Sequence, residues 1–146
     1  MNESMKERPV HFLLVEDDDD HAALVERALR ENRVVNSMKR ASDGEEAIRY
    51  LTDGNTPRPD VILLDLNLPR KSGHEVLAEV KSNPALRTIP IVVLTTSQAE
   101  ADRERAYNAH ANSYLVKPLD FSCFHELIHD LKLYWAIWNE PPGKTE

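Results

Sequence analysis

The chain predicts an α/β domain: a doubly wound parallel sheet of five strands with helices on both faces. Three observations carry this. Short runs of Val, Ile and Leu recur at Leu13-Leu14-Val15, Val61-Ile62-Leu63-Leu64, Ile91-Val92-Val93-Leu94 and Tyr114-Leu115-Val116. Runs of that kind read as strands buried on both faces of a sheet. Segments of helical period lie between them, and alternation of the two element types gives parallel strands joined by right-handed crossovers. Each run also stops at an acid, a hydroxyl or an ammonium: Glu16-Asp17, Asp65, Thr95 and Lys117. In an open parallel sheet the carboxyl ends of the strands share one edge, where ligands bind.

Taken in order, the first strand ends at Glu16-Asp17 and a helix follows. Ala22, Leu24, Val25, Ala28 and Leu29 form its apolar stripe, and Asp18 to Asp20 complement the dipole at its start. Val34 to Ala41 is a weaker strand. In the next helix, Ser42 with Glu45 or Asp43 with Glu46 fits a capping box, and Ala47, Ile48 and Leu51 form the buried face. Asp53 to Pro59 is a loop by its turn residues.

The strand ending at Asp65 comes next, then a loop from Leu68 to Gly73 and a helix with Val76, Leu77 and Val80 inward, stopped by Asn83-Pro84. The strand ending at Thr95 leads to a polar helix over Ala99 to His110. After the strand ending at Lys117, a last helix runs from Phe121 to Trp138. Its main stripe is Phe121, Phe124, Leu127, Ile128, Leu131, Trp135 and Trp138; Leu133, Tyr134 and Ile137 fall outside it. A second apolar face calls for a cover. Either the helix curls over its own domain or it forms a homodimer, with Trp135, Trp138 and Pro141-Pro142 reaching a partner, and the dimer is preferred.

At 146 residues, 41% hydrophobic and 29% charged, the chain suits one soluble domain. Residues 1–9 are expected to be loose, 10–133 to form the domain and 134–146 an extension. A net charge of −7 argues against nucleic acid as a partner. No apolar run is long enough to span a membrane, and Met1 to Pro9 lacks the core of a signal peptide. The single cysteine, Cys123, fits a reducing cytoplasm, and four glycines leave no room for a glycine-rich phosphate loop.

The strand-end residues form a coherent chemical set. A lone Asp at a strand end is usually a turn cap. Here Asp65 keeps company with Glu16 and Asp17, three acids whose mutual repulsion a hard cation offsets; Mg²⁺ takes one or two carboxylates plus water and phosphate oxygens. A backbone carbonyl past Asp65, at Asn67, can complete the shell. The Asp65 carboxylate can then attack phosphorus, while the Thr95 hydroxyl and the Lys117 ammonium hold phosphoryl oxygens. Taken singly, Thr95 is explained by strand propensity and Lys117 by the surface.

Leu14-Val15-Glu16-Asp17, Leu64-Asp65-Leu66-Asn67-Leu68-Pro69 with Gly73, Leu94-Thr95-Thr96-Ser97 and Tyr114-Leu115-Val116-Lys117-Pro118 together resemble the receiver domain of two-component response regulators, over roughly Val10 to Leu133. The resemblance implies a flavodoxin-like fold. It implies that Asp65 accepts a phosphoryl group from a sensor histidine kinase, with Mg²⁺ held by Glu16, Asp17, Asp65 and the Asn67 carbonyl. It assigns phosphate sensing to Thr95 and Lys117, the aromatic switch to Tyr114, and control of acyl phosphate lifetime to Asn67 and Ser97. Thr96 departs from the family, which has a small residue there, and Ser72 stands where Asp is common. With the lengthened loop at Gly54 to Pro59, the chain is similar to a narrower group, the often dimeric single-domain regulators paired with bacterial and cyanobacterial phytochromes.

Two rival readings remain at this point. One is a Mg²⁺-dependent hydrolase with an aspartyl nucleophile, disfavoured because such enzymes carry a second acid where Asn67 stands. The other is a receiver-like interaction domain that never takes phosphate, disfavoured by the complete set of acids, Thr95 and Lys117.

Overall fold

A computed structural model describes residues 10–31, 36–66, 68–95 and 113–116, with backbone only for Asn36, Leu94, Thr95 and 113–116. The elements in chain order are β1 (Val10–Val15), α1 (Asp19–Arg30), β2 (Asn36–Ala41), α2 (Gly44–Thr52), β3 (Val61–Leu64), α3 (Gly73–Ser82), β4 (Ile91–Thr95) and β5 (Ser113–Val116). The expected helices over 99–110 and 121–138 lie outside the described residues. No helix among the described residues is long and apolar enough to cross a membrane.

All strand pairs are parallel, in the order β2-β1-β3-β4-β5. This is the flavodoxin-like order, in which the chain reverses direction across the sheet between β1 and β3. The two-residue period of the strands divides their side chains between two cores. Leu13, Val15, Ile62, Leu64, Ile91 and Val93 face Ala47, Val76, Leu77 and Val80 of α2 and α3. Phe12, Leu14, Leu63 and Val92 face Ala22, Val25, Ala28 and Leu29 of α1. Burial of both faces explains the continuous apolar reading of β1, β3 and β4. The edge strand β2 runs over Asn36–Ala41 with Ser37 and Lys39 exposed, and the expected start at Val34 lies outside the described residues.

Local chemistry sets the helix ends. Asp18 caps α1, accepting from the backbone N–H of Asp20 and His21. Of the two boxes that fit α2, Asp43 with Glu46 is the one formed. The Asp43 carboxylate accepts from the Glu46 N–H at 2.8 Å, while the Glu46 carboxylate reaches one residue further back, to the Ser42 N–H at 2.8 Å. At α3, Ser72 and Glu75 make a full reciprocal box that the sequence reading passed over.

The loop before β3 folds down on the rim opposite the strand carboxyl ends. Arg58 donates to the Ala85 carbonyl and the Thr88 hydroxyl, both at 2.7 Å. Nearby, the His11 ring lies 2.8 Å from the Ser37 hydroxyl and 2.9 Å from the Tyr50 hydroxyl. Burial holds His11 below its ordinary 6.5, partly countered by Asp60. The unfolded chain therefore binds the proton more readily, so stability contributed by neutral His11 is present above pH 6.5 and lost as pH falls through that value toward the folded pKa. Urea melts across this window should show a shallower loss for His11→Gln than for the wild type; equal slopes would remove His11 as the cause.

Candidate acidic phosphoacceptor site

Strands β1 and β3 end side by side. The Asp65 N–H donates to the Val15 carbonyl at 3.0 Å, so the ladder continues past Leu64 and delivers Asp65 next to Glu16. One carboxylate oxygen each from Glu16, Asp17 and Asp65 lies within 4.8 Å of the others. Glu16 is 2% exposed and Asp65 7%, while Asp17 is open to solvent. Around a hard cation with oxygens at about 2.1 Å, octahedral ligands stand roughly 3–4.2 Å apart, so small inward movements suffice. An all-carboxylate set suits such a cation, because each buried acid otherwise faces its like-charged neighbours in a medium that screens poorly.

The β1–α1 turn that carries two of these acids is tied at several atoms. The Glu16 N–H donates to the Ala41 carbonyl at 3.0 Å, extending the β1–β2 ladder. The Glu16 carboxylate accepts from the Asp18 N–H at 3.2 Å. Arg40 donates through Nε to the Glu16 carbonyl at 3.0 Å, and its Nη1 meets the Asp19 carboxylate at 2.9 Å.

The β3–α3 loop is held just as closely. The Gly73 N–H donates to the Leu66 carbonyl at 3.0 Å, and a Cβ on Gly73 would collide with the Asp65 carbonyl oxygen. Gly44 at the start of α2 has the same relation to the Lys71 carbonyl oxygen. Arg70 takes a left-handed conformation, φ 66°, that L side chains rarely adopt, and its guanidinium meets Asp43 at 3.4 Å and Glu45 at 3.9 Å. Lys71 pairs with Glu79 at 3.1 Å; that hydrogen bond and the Glu79 charge hold its ammonium above the ordinary range. None of these supports was singled out in the sequence except Gly73. The Ser72-x-x-Glu75 spacing was the signal for the capping box that starts α3 beside them.

The other expected site residues stand as follows. The backbone puts Thr95 at the carboxyl end of β4, two residues past Val93, the register partner of Leu64. Thr95 in turn pairs with Val116, the residue before Lys117. The side chains of Thr95 and Tyr114, and all of Asn67, Ser97 and Lys117, lie outside the described residues.

Comparison with known proteins gives the same picture. A probable methanogenesis regulatory protein, FilR2 of Methanothrix harundinacea, is 44% identical over 140 residues, 94% of this chain and 90% of its own. Response regulator Rcp1 of Synechocystis is 40% identical over 131 residues, 87% of this chain and 89% of its own. The crystal structure of the Mn²⁺-bound form of Rcp1 has a TM-score of 0.84, covering 92% of this chain and all of that one. The crystal structure of RcpA, a phosphorylated cyanobacterial phytochrome response regulator, reaches 0.87 at 38% identity, covering 93% of this chain and all of that one. Residues 12–129 match the model of the response regulator receiver domain, and with acids converging at the ends of β1 and β3 of a 2-1-3-4-5 sheet, the chain belongs to that family.

Proposed function

We propose that this chain is a phosphoacceptor in a two-component relay, not a turnover enzyme. Asp65 takes the phosphoryl group of a sensor kinase phosphohistidine: its carboxylate oxygen bonds to phosphorus, the N–P bond breaks, and the imidazole leaves. The observation that carries this is the clustering of Asp65 with Glu16 and Asp17 within 4.8 Å. Glu16, Asp17, Asp65 and the Asn67 carbonyl would hold Mg²⁺, which when bound neutralises charge on the transferring oxygens. Thr95 and Lys117 hold those oxygens once the acyl phosphate exists, Tyr114 responds to the movement of Thr95, and Asn67 and Ser97 set its lifetime.

The receiver spans 10–133 in this reading, flanked by a loose 1–9 and an extension over 134–146. The kinase is a phytochrome, a choice supported by similarity to the phytochrome response regulator RcpA. The Mn²⁺-bound form of Rcp1 supports a divalent ion. Output is by protein contact in the cytoplasm, from a homodimer built on the last helix, toward a downstream phosphotransfer or target protein.

Incubation with acetyl phosphate and Mg²⁺ should add one phosphoryl mass, and chelation of the metal should prevent it. Sustained phosphate release from small phosphoesters would instead indicate a hydrolase. No mass gain, together with no response to beryllium fluoride, would indicate a receiver that never accepts phosphate.

A further inference from the structure

We propose that Arg40 is a positioning residue for the acid cluster, one that fixes the aim of Glu16 and Asp17 at the cost of placing a positive charge beside a cation site. The inference rests on the metal-binding reading above. Arg40 lies next to the end of β2, paired in register with Leu14 of β1. From there its guanidinium reaches over the β1–α1 turn and meets it at both ends, the Glu16 carbonyl at 3.0 Å and the Asp19 carboxylate at 2.9 Å. Asp17, exposed, sits between the two contacts.

The Glu16 carbonyl belongs to the peptide plane that joins Glu16 to Asp17. Peptide planarity means that fixing this oxygen also fixes the Asp17 N–H and the direction in which its Cα leaves. The Glu16 N–H is already committed to the Ala41 carbonyl at 3.0 Å. Arg40 therefore locks the one peptide unit between the two acids that the ladder leaves unfixed. A planar fork with donors pointing in different directions can do this, whereas a lysine ammonium on a flexible stem is not organised to serve both contacts. Arg40 is 27% exposed on its side chain, shielded enough for the contact to persist.

The sign of the effect separates positioning from charge. A cation near a metal site repels the incoming ion, so if Arg40 acted only through charge its removal would tighten binding. If it acts by holding ligands, removal loosens binding, and outer-shell partners of metal ligands are typically worth on the order of tenfold in affinity. Mn²⁺ binding by titration calorimetry, with Mg²⁺ competition, reads this directly. Arg40→Gln should bind Mn²⁺ about tenfold more weakly than the wild type, with Arg40→Lys between them. Labelling by acetyl phosphate should need more Mg²⁺ for half-saturation in Arg40→Gln and reach nearly the wild-type plateau.

A second pair guards against misfolding of that variant. Asp19 and Asp20 are neighbouring exposed acids, and of the two it is Asp19 that meets Arg40. Asp19→Asn should weaken Mn²⁺ binding more than Asp20→Asn, which removes the same charge. A folded Arg40→Gln that binds Mn²⁺ as tightly as the wild type or tighter, or equal losses for the two aspartate variants, would overturn the proposal. A wild type that binds no Mn²⁺ or Mg²⁺ would instead sink the metal reading on which it rests.

Discussion

Asp65→Asn is expected to abolish phosphoryl acceptance, lowering labelling by acetyl phosphate by at least about three orders of magnitude. An amide is not a competent nucleophile toward phosphorus, and among the described residues the nearest other carboxylates, Glu16 and Asp17, are the ones assigned to the cation. Glu16 and Asp17 sit at the end of β1, where their oxygens face the position a cation would take. The same substitution should raise stability in metal-free buffer. Three carboxylate oxygens within 4.8 Å, two of the acids buried, repel one another, and neutralising one relieves this. Single stabilising substitutions commonly yield about 0.5–2 kcal/mol, and relief of this repulsion is expected in that range. Saturating Mg²⁺ should then narrow the gap, since it stabilises mainly the protein that keeps all three acids. Thermal melts of both proteins with and without Mg²⁺, beside intact-mass labelling, check the two halves separately. Undiminished labelling of the variant would move the acceptor elsewhere, and a lower melting temperature would mean that the Asp65 carboxylate is stabilised by partners that outweigh the repulsion.

Gly73→Val should have the largest effect outside the acids. A Cβ there runs into the Asp65 carbonyl oxygen and the Leu66 Cα, which are backbone atoms that cannot swing aside. The added volume must push β3 and α3 apart where the Gly73 N–H meets the Leu66 carbonyl. Overpacking of this kind costs about 1–3 kcal/mol, with valine at the upper end. Displacement of the Asp65 backbone also moves the proposed acceptor carboxylate relative to Glu16 and Asp17, so labelling should slow even under conditions where the variant stays folded. Gly54→Ala is the matched control, because a Cβ there meets nothing within 4 Å. Its stability should stay within about 0.5 kcal/mol of the wild type. A Gly73→Val protein that melts and labels like the control would show that the loop gives way freely.

The part of the site that could be read from sequence is the part fixed by strand direction. Glu16, Asp17 and Asp65 each follow a run buried on both faces, and in a parallel sheet that suffices to bring them to one edge. The α1 stripe was legible for a similar reason: Ala22, Val25, Ala28 and Leu29 repeat with the helical turn and are all buried. Supports that depend on reach between segments were not legible. Arg40 reads as an ordinary polar residue of a weak strand until the neighbouring turn is placed over it. Arg70 carries no sign of its left-handed backbone, which glycine or asparagine would have advertised. The capping of α2 was ambiguous because two acids stood at the right spacing, and the choice depended on which residue took extended backbone, Asp43 at φ −151°.

The long loop before β3 has a practical consequence. Its tip at Gly54-Asn55 is exposed, while Arg58 moors its far end to Ala85 and Thr88. Pro59, Asp60 and the four-residue β3, about 20 Å of extended chain, separate the Arg58 mooring from Asp65, and the two lie at opposite rims. A fluorophore or affinity handle spliced at Gly54-Asn55 would thus ride on the molecule as a silent passenger, leaving the acid edge open for kinase and metal alike.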